Sequence, residues 1–184
     1  MERGKTVRDM IDLAKEYAPF ALSCAVGLML IWILCGNLLM KKQFPIWWIV
    51  ITSTYVGFLL AGTLRIGSFR ELIEWHKPMF WDIGAQFTFS AHDLYNVALF
   101  IPWGILGMMR AKKPLTPLIC LVSGVMMSLF IETFQLYHMR TFDLGDMITN
   151  TAGCVLGILV MLPLMIRRIV NLQRENRQKQ HQQE

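Results

Sequence analysis

The amino-acid sequence predicts an all-α polytopic membrane protein, a transmembrane helical bundle of about five spans. Apolar residues make up 54% of its 184 residues and charged residues only 17%, whereas soluble domains carry about 25% charged residues. The apolar residues are also gathered into long runs separated by short charged stretches, an arrangement that a single soluble core does not need. Because backbone groups in hydrocarbon must hydrogen-bond internally, each run is predicted to form a helix.

Five apolar runs are the candidate spans, and most have the ~20 residues that a helix needs to cross a bilayer. The third run is about 24 Å long as a helix when its polar flank is left out. We therefore expect its helix to begin farther back, toward Phe87. In chain order the runs are 18–40, 45–64, 94–109, 115–137 and 147–166.

The segments that flank the runs indicate an orientation. Residues 1–17 combine apolar residues at helical spacing with balanced charges, which is typical of an amphipathic surface helix. Ten lysines and arginines lie in the connections after the first and third runs and in the polar tail 167–184, against four in the connections after the second and fourth runs. Basic residues favour the cytoplasmic side. The tail is therefore predicted to be cytoplasmic and, with five spans, the N-terminus to be outside.

Several function classes are not favoured by the sequence. The net charge is +5, but the basic residues stand at the ends of the apolar runs, so a nucleic-acid partner is not predicted. The four cysteines lie inside the runs without a C-x-x-C pair, which argues against a disulfide framework or a zinc site. No other metal-ligand spacing, phosphate-binding glycine loop or serine-nucleophile motif is present. We predict no metal and no cofactor.

Polar side chains stand near one end of each of the last three runs. In the fourth run, Ser128, Glu132 and Gln135 have the spacing that places them on one helix face. Since successive helices alternate in direction, the three polar ends meet on one side of the membrane, the outer side in the orientation above. We predict a binding site there, formed by Asp93, Asn96, Glu132, Gln135, Arg140, Asp143, Asp146 and Asn150.

The competing interpretation of these residues is that they only join helices. Amides and hydroxyls do bridge helices in membranes, by about 0.6–2 kcal/mol each, and Gly153-x-x-x-Gly157 is predicted to serve close helix packing. Ionisable groups near spans are costlier and tend to mark functional sites. One arginine, Arg140, among four carboxylates leaves a formal charge of −3, which is more acid than pairing requires. We therefore favour a binding site, with its catalytic residues, if any, unknown.

Three motifs in the second half of the chain carry a family resemblance. They are N-x-x-x-F-x-P-x-G at 96–104, S-x-x-x-E-x-x-Q at 128–135 and R-x-x-D-x-x-D-x-x-x-N-x-x-G at 140–153. Their order and spacing resemble those of the VanZ family of small membrane proteins, over about residues 45–166. The resemblance implies a four-span core at 45–166, to which the run 18–40 is an additional N-terminal span.

The resemblance also implies a role in the cell envelope, associated with resistance to glycopeptide antibiotics, chiefly teicoplanin. We expect a multi-pass protein of the cell membrane whose outward polar cluster binds a membrane lipid or a lipid-linked cell-wall precursor. Two alternatives stay open. One is an intramembrane enzyme that modifies a lipid or cell-wall precursor with Glu132 and Asp146 as acid and base. The other is a small proton-coupled transporter.

Overall fold

The computed structural model describes residues 3–34, 45–64, 83–84, 91–138 and 141–182. These residues form five helices and one pair of two-residue parallel strands, β1 (Ile83–Gly84) and β2 (Phe142–Asp143). The predicted all-α fold is confirmed. The helices are α1 (Arg3–Leu34), α2 (Ile46–Leu64), α3 (Ala91–Met108), α4 (Thr116–Leu136) and α5 (Leu144–His181).

Four of the helices in the described part of the chain are long and apolar enough to cross a membrane: α1 from Lys15 onward, α2, α4 and α5. Helix α3 has 18 residues, and its first two turns carry His92, Asp93 and Asn96. These polar residues keep α3 out of the group of helices that are apolar enough to cross. The structure begins α3 at Ala91, and the residues between Ala91 and Phe87 lie outside the described ranges.

Two helices extend beyond the apolar runs that predicted them. Helix α1 contains both the amphipathic segment and most of the first run, with Pro19 inside it; residues 35–40 lie outside the described part. Helix α5 continues through the polar tail to His181. At 38 residues it is about 57 Å long, nearly twice the ~30 Å of a bilayer's hydrocarbon core.

Helices α1 and α2 form one compact unit through small residues. Ala21 and Ala25 of α1 are fully buried and lie against Gly57 of α2, where an added Cβ would come within 2.5 Å of the Ala21 carbonyl oxygen. At the other end of this contact Trp32 and Trp48 pack edge to face, with 5.3 Å between ring centroids. The absence of a side chain at Gly57 thus allows close backbone approach, as is typical of membrane helices.

Helices α3, α4 and α5 belong to a second unit, in which α5 packs closely against α3. A Cβ at Gly153 would collide with the carbonyl oxygen of Val97, and one at Gly157 with that of Ile101. Gly104 of α3 lies equally close to the α5 backbone. The prediction that Gly153 and Gly157 serve close helix packing is therefore confirmed.

The contact between α4 and α5 changes from polar to apolar along its length. Ser128 meets Asn150 at one level, and one turn farther Gly124 meets the Cys154 thiol. Beyond these lies a buried apolar cluster that includes Cys120, Met108 and Met165. The buried polar residues of this unit are gathered where α3 and α5 begin and α4 ends.

Candidate functional site

The local structure at this end of the unit is set by the start of α5. Asp143 is the N-cap of α5, in an extended conformation, and its Oδ1 accepts a hydrogen bond from the Gly145 N–H at 2.7 Å. This is the standard use of aspartate at a helix start. Its backbone also pairs with Gly84 in the parallel strand pair, which brings the segment before α3 beside α5. The Asp143 side chain therefore serves to start the helix.

Asp146 joins α5 to α3. Its Oδ1 accepts a hydrogen bond from the Asn96 Nδ2 at 2.6 Å, and its Oδ2 lies 3.5 Å from the His92 Nε2. Asn96 and His92 are one turn apart and thus on the same face of α3. The Asp146 side chain remains 13% exposed and that of His92 55% exposed. Asp146 is thus the point at which the buried polar residues reach the surface.

Glu132 is the most deeply placed carboxylate among the described residues. It is 1% exposed and lies one turn before the end of α4. Its Oε2 accepts a hydrogen bond from the Asp143 N–H at 3.0 Å. A buried carboxylate is costly unless hydrogen bonds satisfy it. The hydrogen bond from Asp143 helps to satisfy Glu132 and also links the end of α4 to the start of α5.

Asn150 lies one turn deeper than Asp146. Its Nδ2 donates a hydrogen bond to the Ser128 Oγ at 3.0 Å, and the residue is only 3% exposed. Its Oδ1 is buried and has no hydrogen-bond partner among the residues that the structure describes. Since a buried acceptor without a donor is unfavourable by about 1–3 kcal/mol, this oxygen is a place where a donor would be stabilised.

The other predicted site residues are placed as follows. Gln135 is buried on the same face of α4 as Glu132, and Asp93 is half-buried in the first turn of α3. Arg140 lies outside the described residues. The structure thus brings Asn96, Glu132, Asp143, Asp146 and Asn150 into direct contacts that link the three helices.

Two contributors were absent from the predicted site. His92 contacts Asp146 and Ser128 contacts Asn150. Both carried a signal in the sequence, because His92 is four residues before Asn96 and Ser128 is four residues before Glu132. The spacing of i and i+4 places each on the same face as a predicted residue. From here on, the polar cluster means His92, Asn96, Ser128, Glu132, Asp146 and Asn150.

The polar cluster is rich in hydrogen-bond acceptors. It contains the carboxylates of Glu132 and Asp146 and the Asn150 Oδ1, and Asp93 and Asp143 stand beside it. Such groups recognise hydroxyl, amide and ammonium donors. In the described part of the chain no group of three or more His, Cys, Asp or Glu side chains is arranged to hold a metal ion.

The comparison with known families agrees with the three motifs. The family described as VanZ/LLP1 matches residues 28–167, which is more than half of the chain and includes the whole polar cluster. The chain belongs to the VanZ/LLP1 family. With four long apolar helices in its described part, this VanZ-like chain is a multi-pass membrane protein.

One curated relative is similar to part of this VanZ-like chain. It is an uncharacterized protein, C11E3.10, of Schizosaccharomyces pombe, 40% identical over 67 residues. The match covers 35% of this chain and 40% of the relative, so the chain spans less than half of the relative's length. No solved structure matches the chain.

Proposed function

We propose that this VanZ-like protein works in the cell membrane, where its polar cluster binds a membrane lipid or a lipid-linked cell-wall precursor. The observation that carries the proposal is the position of the Asp146 carboxylate. It is in contact with α3 through Asn96 and His92, it lies above the deeper acceptor Asn150, and it is still partly open to its surroundings. A polar headgroup that enters from the bilayer surface meets this carboxylate first.

The hydrogen bonds of the cluster support binding over packing alone. Helix packing favours paired buried polar atoms, since an unsatisfied one is costly. The buried Asn150 Oδ1 has no hydrogen-bond partner among the described residues. The cell-wall precursors of bacteria carry sugar hydroxyls and peptide amides on a lipid, and these are the donors that carboxylate and amide oxygens bind.

The proposed link to glycopeptide resistance follows from the family and from this binding. A protein that holds a lipid-linked precursor at the outer surface lowers the amount that a glycopeptide can reach. The acceptor-rich cluster and the glycopeptide would then compete for the same polar headgroup. Teicoplanin resistance is then the expected phenotype of a cell that produces the protein.

The test of the proposal is the set of lipids that the protein retains. We would purify the tagged chain in mild detergent from bacteria that make lipid-linked precursors and identify the bound lipids by mass spectrometry. The wild type is expected to retain the precursor. E132Q and D146N are expected to retain at least about tenfold less precursor, because a hydrogen bond to a charged group contributes about 1.5–3 kcal/mol.

Matched controls make the same chemical changes at exposed sites. E175Q alters the exposed part of α5 and D12N alters an exposed residue of α1; both are expected to retain the precursor as the wild type does. Equal retention by all five proteins, or no enrichment of precursor in the wild type, would contradict the proposal.

The pairing of Asp146 with His92 favours catalysis as a second candidate function. A carboxylate that orients a histidine is a common arrangement for acid–base catalysis, and His92 is the more exposed of the two. Incubation of the purified protein with a lipid extract separates the candidates. A binding protein retains the lipid unchanged, whereas an enzyme releases a new product that H92Q no longer forms.

A further inference from the structure

The opposite end of the α3–α5 unit is basic. It lies about 31 Å from the polar cluster, measured along α5 from Asp146 to Arg167. The connection between α3 and α4 carries Arg110, Lys112 and Lys113, and the apolar part of α5 ends at Arg167 and Arg168. The chain has no acidic residue from 94 to 131 or from 147 to 174. The parts of α3 and α4 at this end, and α5 from Met147 to Arg174, therefore carry no acidic residue.

Arg168 holds the connection against α5. Its Nη1 donates hydrogen bonds to the carbonyl oxygens of Met109 at 2.7 Å and Ala111 at 3.3 Å. Carbonyls at the end of a helix lack partners within the helix, so a basic side chain there caps α3. Ala111 is also buried in the same apolar cluster as Met108 and Met165. The basic connection is thus fixed in place next to Arg167.

Lys112, Lys113 and Arg167 are exposed at this point, as is Arg110 just after the end of α3. Apolar side chains are exposed beside them, since Leu115 is 58% exposed and Ile166 is 51% exposed. Cations at the border of an apolar surface match a molecule with an anionic head and apolar chains. The apolar neighbours favour a phospholipid over a soluble phosphate or a nucleic acid.

We propose that Lys112, Lys113 and Arg167 form a binding site for the headgroup of an anionic phospholipid, which we name the basic site. Clusters of lysine and arginine next to a membrane helix attract anionic lipids by about 1 kcal/mol per residue. Arg168 acts as a positioning residue, because it fixes the connection that bears the two lysines. The lipid's phosphate lies among the three cations and its acyl chains lie along Leu115 and Ile166.

The experiment measures the thermal stability of the purified full chain in a neutral detergent, with phosphatidylglycerol or phosphatidylcholine added. Phosphatidylglycerol at about ten times its Kd is expected to raise the Tm by roughly 3–6 °C, and phosphatidylcholine is not. The K112Q/K113Q/R167Q variant is expected to lose this rise. The control R174Q/R177Q/K179Q, which removes the same charge from the exposed end of α5, is expected to keep it.

A second variant keeps the charge and tests the positioning role. R168K retains a cation but lacks the planar fork of arginine, so its response to phosphatidylglycerol is expected to be smaller while its response to phosphatidylcholine stays unchanged. The proposal is overturned if both lipids raise the Tm equally, if K112Q/K113Q/R167Q keeps the full rise, or if the control loses as much as that variant does.

Discussion

Glu132 illustrates how one buried residue can serve both fold and function. Its carboxylate accepts the Asp143 N–H at 3.0 Å, a contact that an amide oxygen can also make. For this contact the fold needs an acceptor at position 132, whether or not that acceptor is charged. A substitution that removes the charge but keeps the acceptor therefore separates the structural role of Glu132 from its role in binding.

Glu132→Gln is expected to change the free energy of unfolding by less than about 1 kcal/mol, because the glutamine Oε1 replaces the lost acceptor. Glu132→Ala leaves the Asp143 N–H without that acceptor and is expected to cost about 1–3 kcal/mol. Thermal unfolding in detergent measures both. A glutamine variant as unstable as the alanine variant would mean that the charge itself holds the helices together.

At the residue scale, much of the cluster could be predicted from spacing. The spacing in the fourth run predicted that Ser128, Glu132 and Gln135 share one helix face, and the alternation of helix direction predicted that they meet Asp146 and Asn150 on one side of the membrane. The partner of each residue could not be predicted, because it depends on how far each helix is rotated and shifted along its neighbour. The capping bond of Asp143 was not predicted either, although aspartate is a preferred N-cap residue.

At the element scale, helix ends were predicted best where proline or charge interrupts an apolar run. Helix α2 begins directly after Pro45 and ends at Leu64, close to the predicted run 45–64. Helix α5 begins at Leu144, three residues before its predicted run, because the Asp143 cap starts the helix ahead of the apolar residues. Its extension to His181 could not be predicted from hydropathy, since the tail is polar.

The glycines of α2 provide a matched test of helix packing. Gly57→Ala puts a methyl group against the α1 backbone near Ala21 and Ala25, and overpacking of this kind costs about 1–3 kcal/mol. Gly62→Ala meets nothing within 4 Å, so it is expected to be neutral or slightly stabilising because alanine favours helix. Unfolding of the two variants in detergent should differ accordingly. Equal effects would show that α1 does not approach α2 at Gly57.

At the scale of the whole molecule, the charge distribution predicts an orientation. The polar cluster lies at one end of the α3–α5 unit and the basic site at the other, and basic residues favour the cytoplasm. Helix α3 is not among the four long apolar helices, but its contacts with α5 place its start beside Asp146. We therefore expect α3 to cross together with α4 and α5.

Single cysteines in a chain without its four native cysteines test this topology. Ala91→Cys and Thr141→Cys are expected to react in intact cells with a membrane-impermeant maleimide, and Lys112→Cys only after the cells are opened. All three positions are exposed on the protein. Labelling of Ala91→Cys together with Lys112→Cys from the inside would show that α3 does not cross.

The polar cluster is expected to serve a ligand in addition to the fold. The most direct measurement is the teicoplanin susceptibility of cells that contain equal amounts of folded wild type, E132Q, D146N or the exposed controls E175Q and D12N. The wild type and both controls are expected to raise the inhibitory concentration, and E132Q and D146N are expected to lose that effect while they keep a Tm close to the wild-type value. Full protection by the two cluster variants, or a loss of protection that follows the Tm across the five proteins, would contradict the claim.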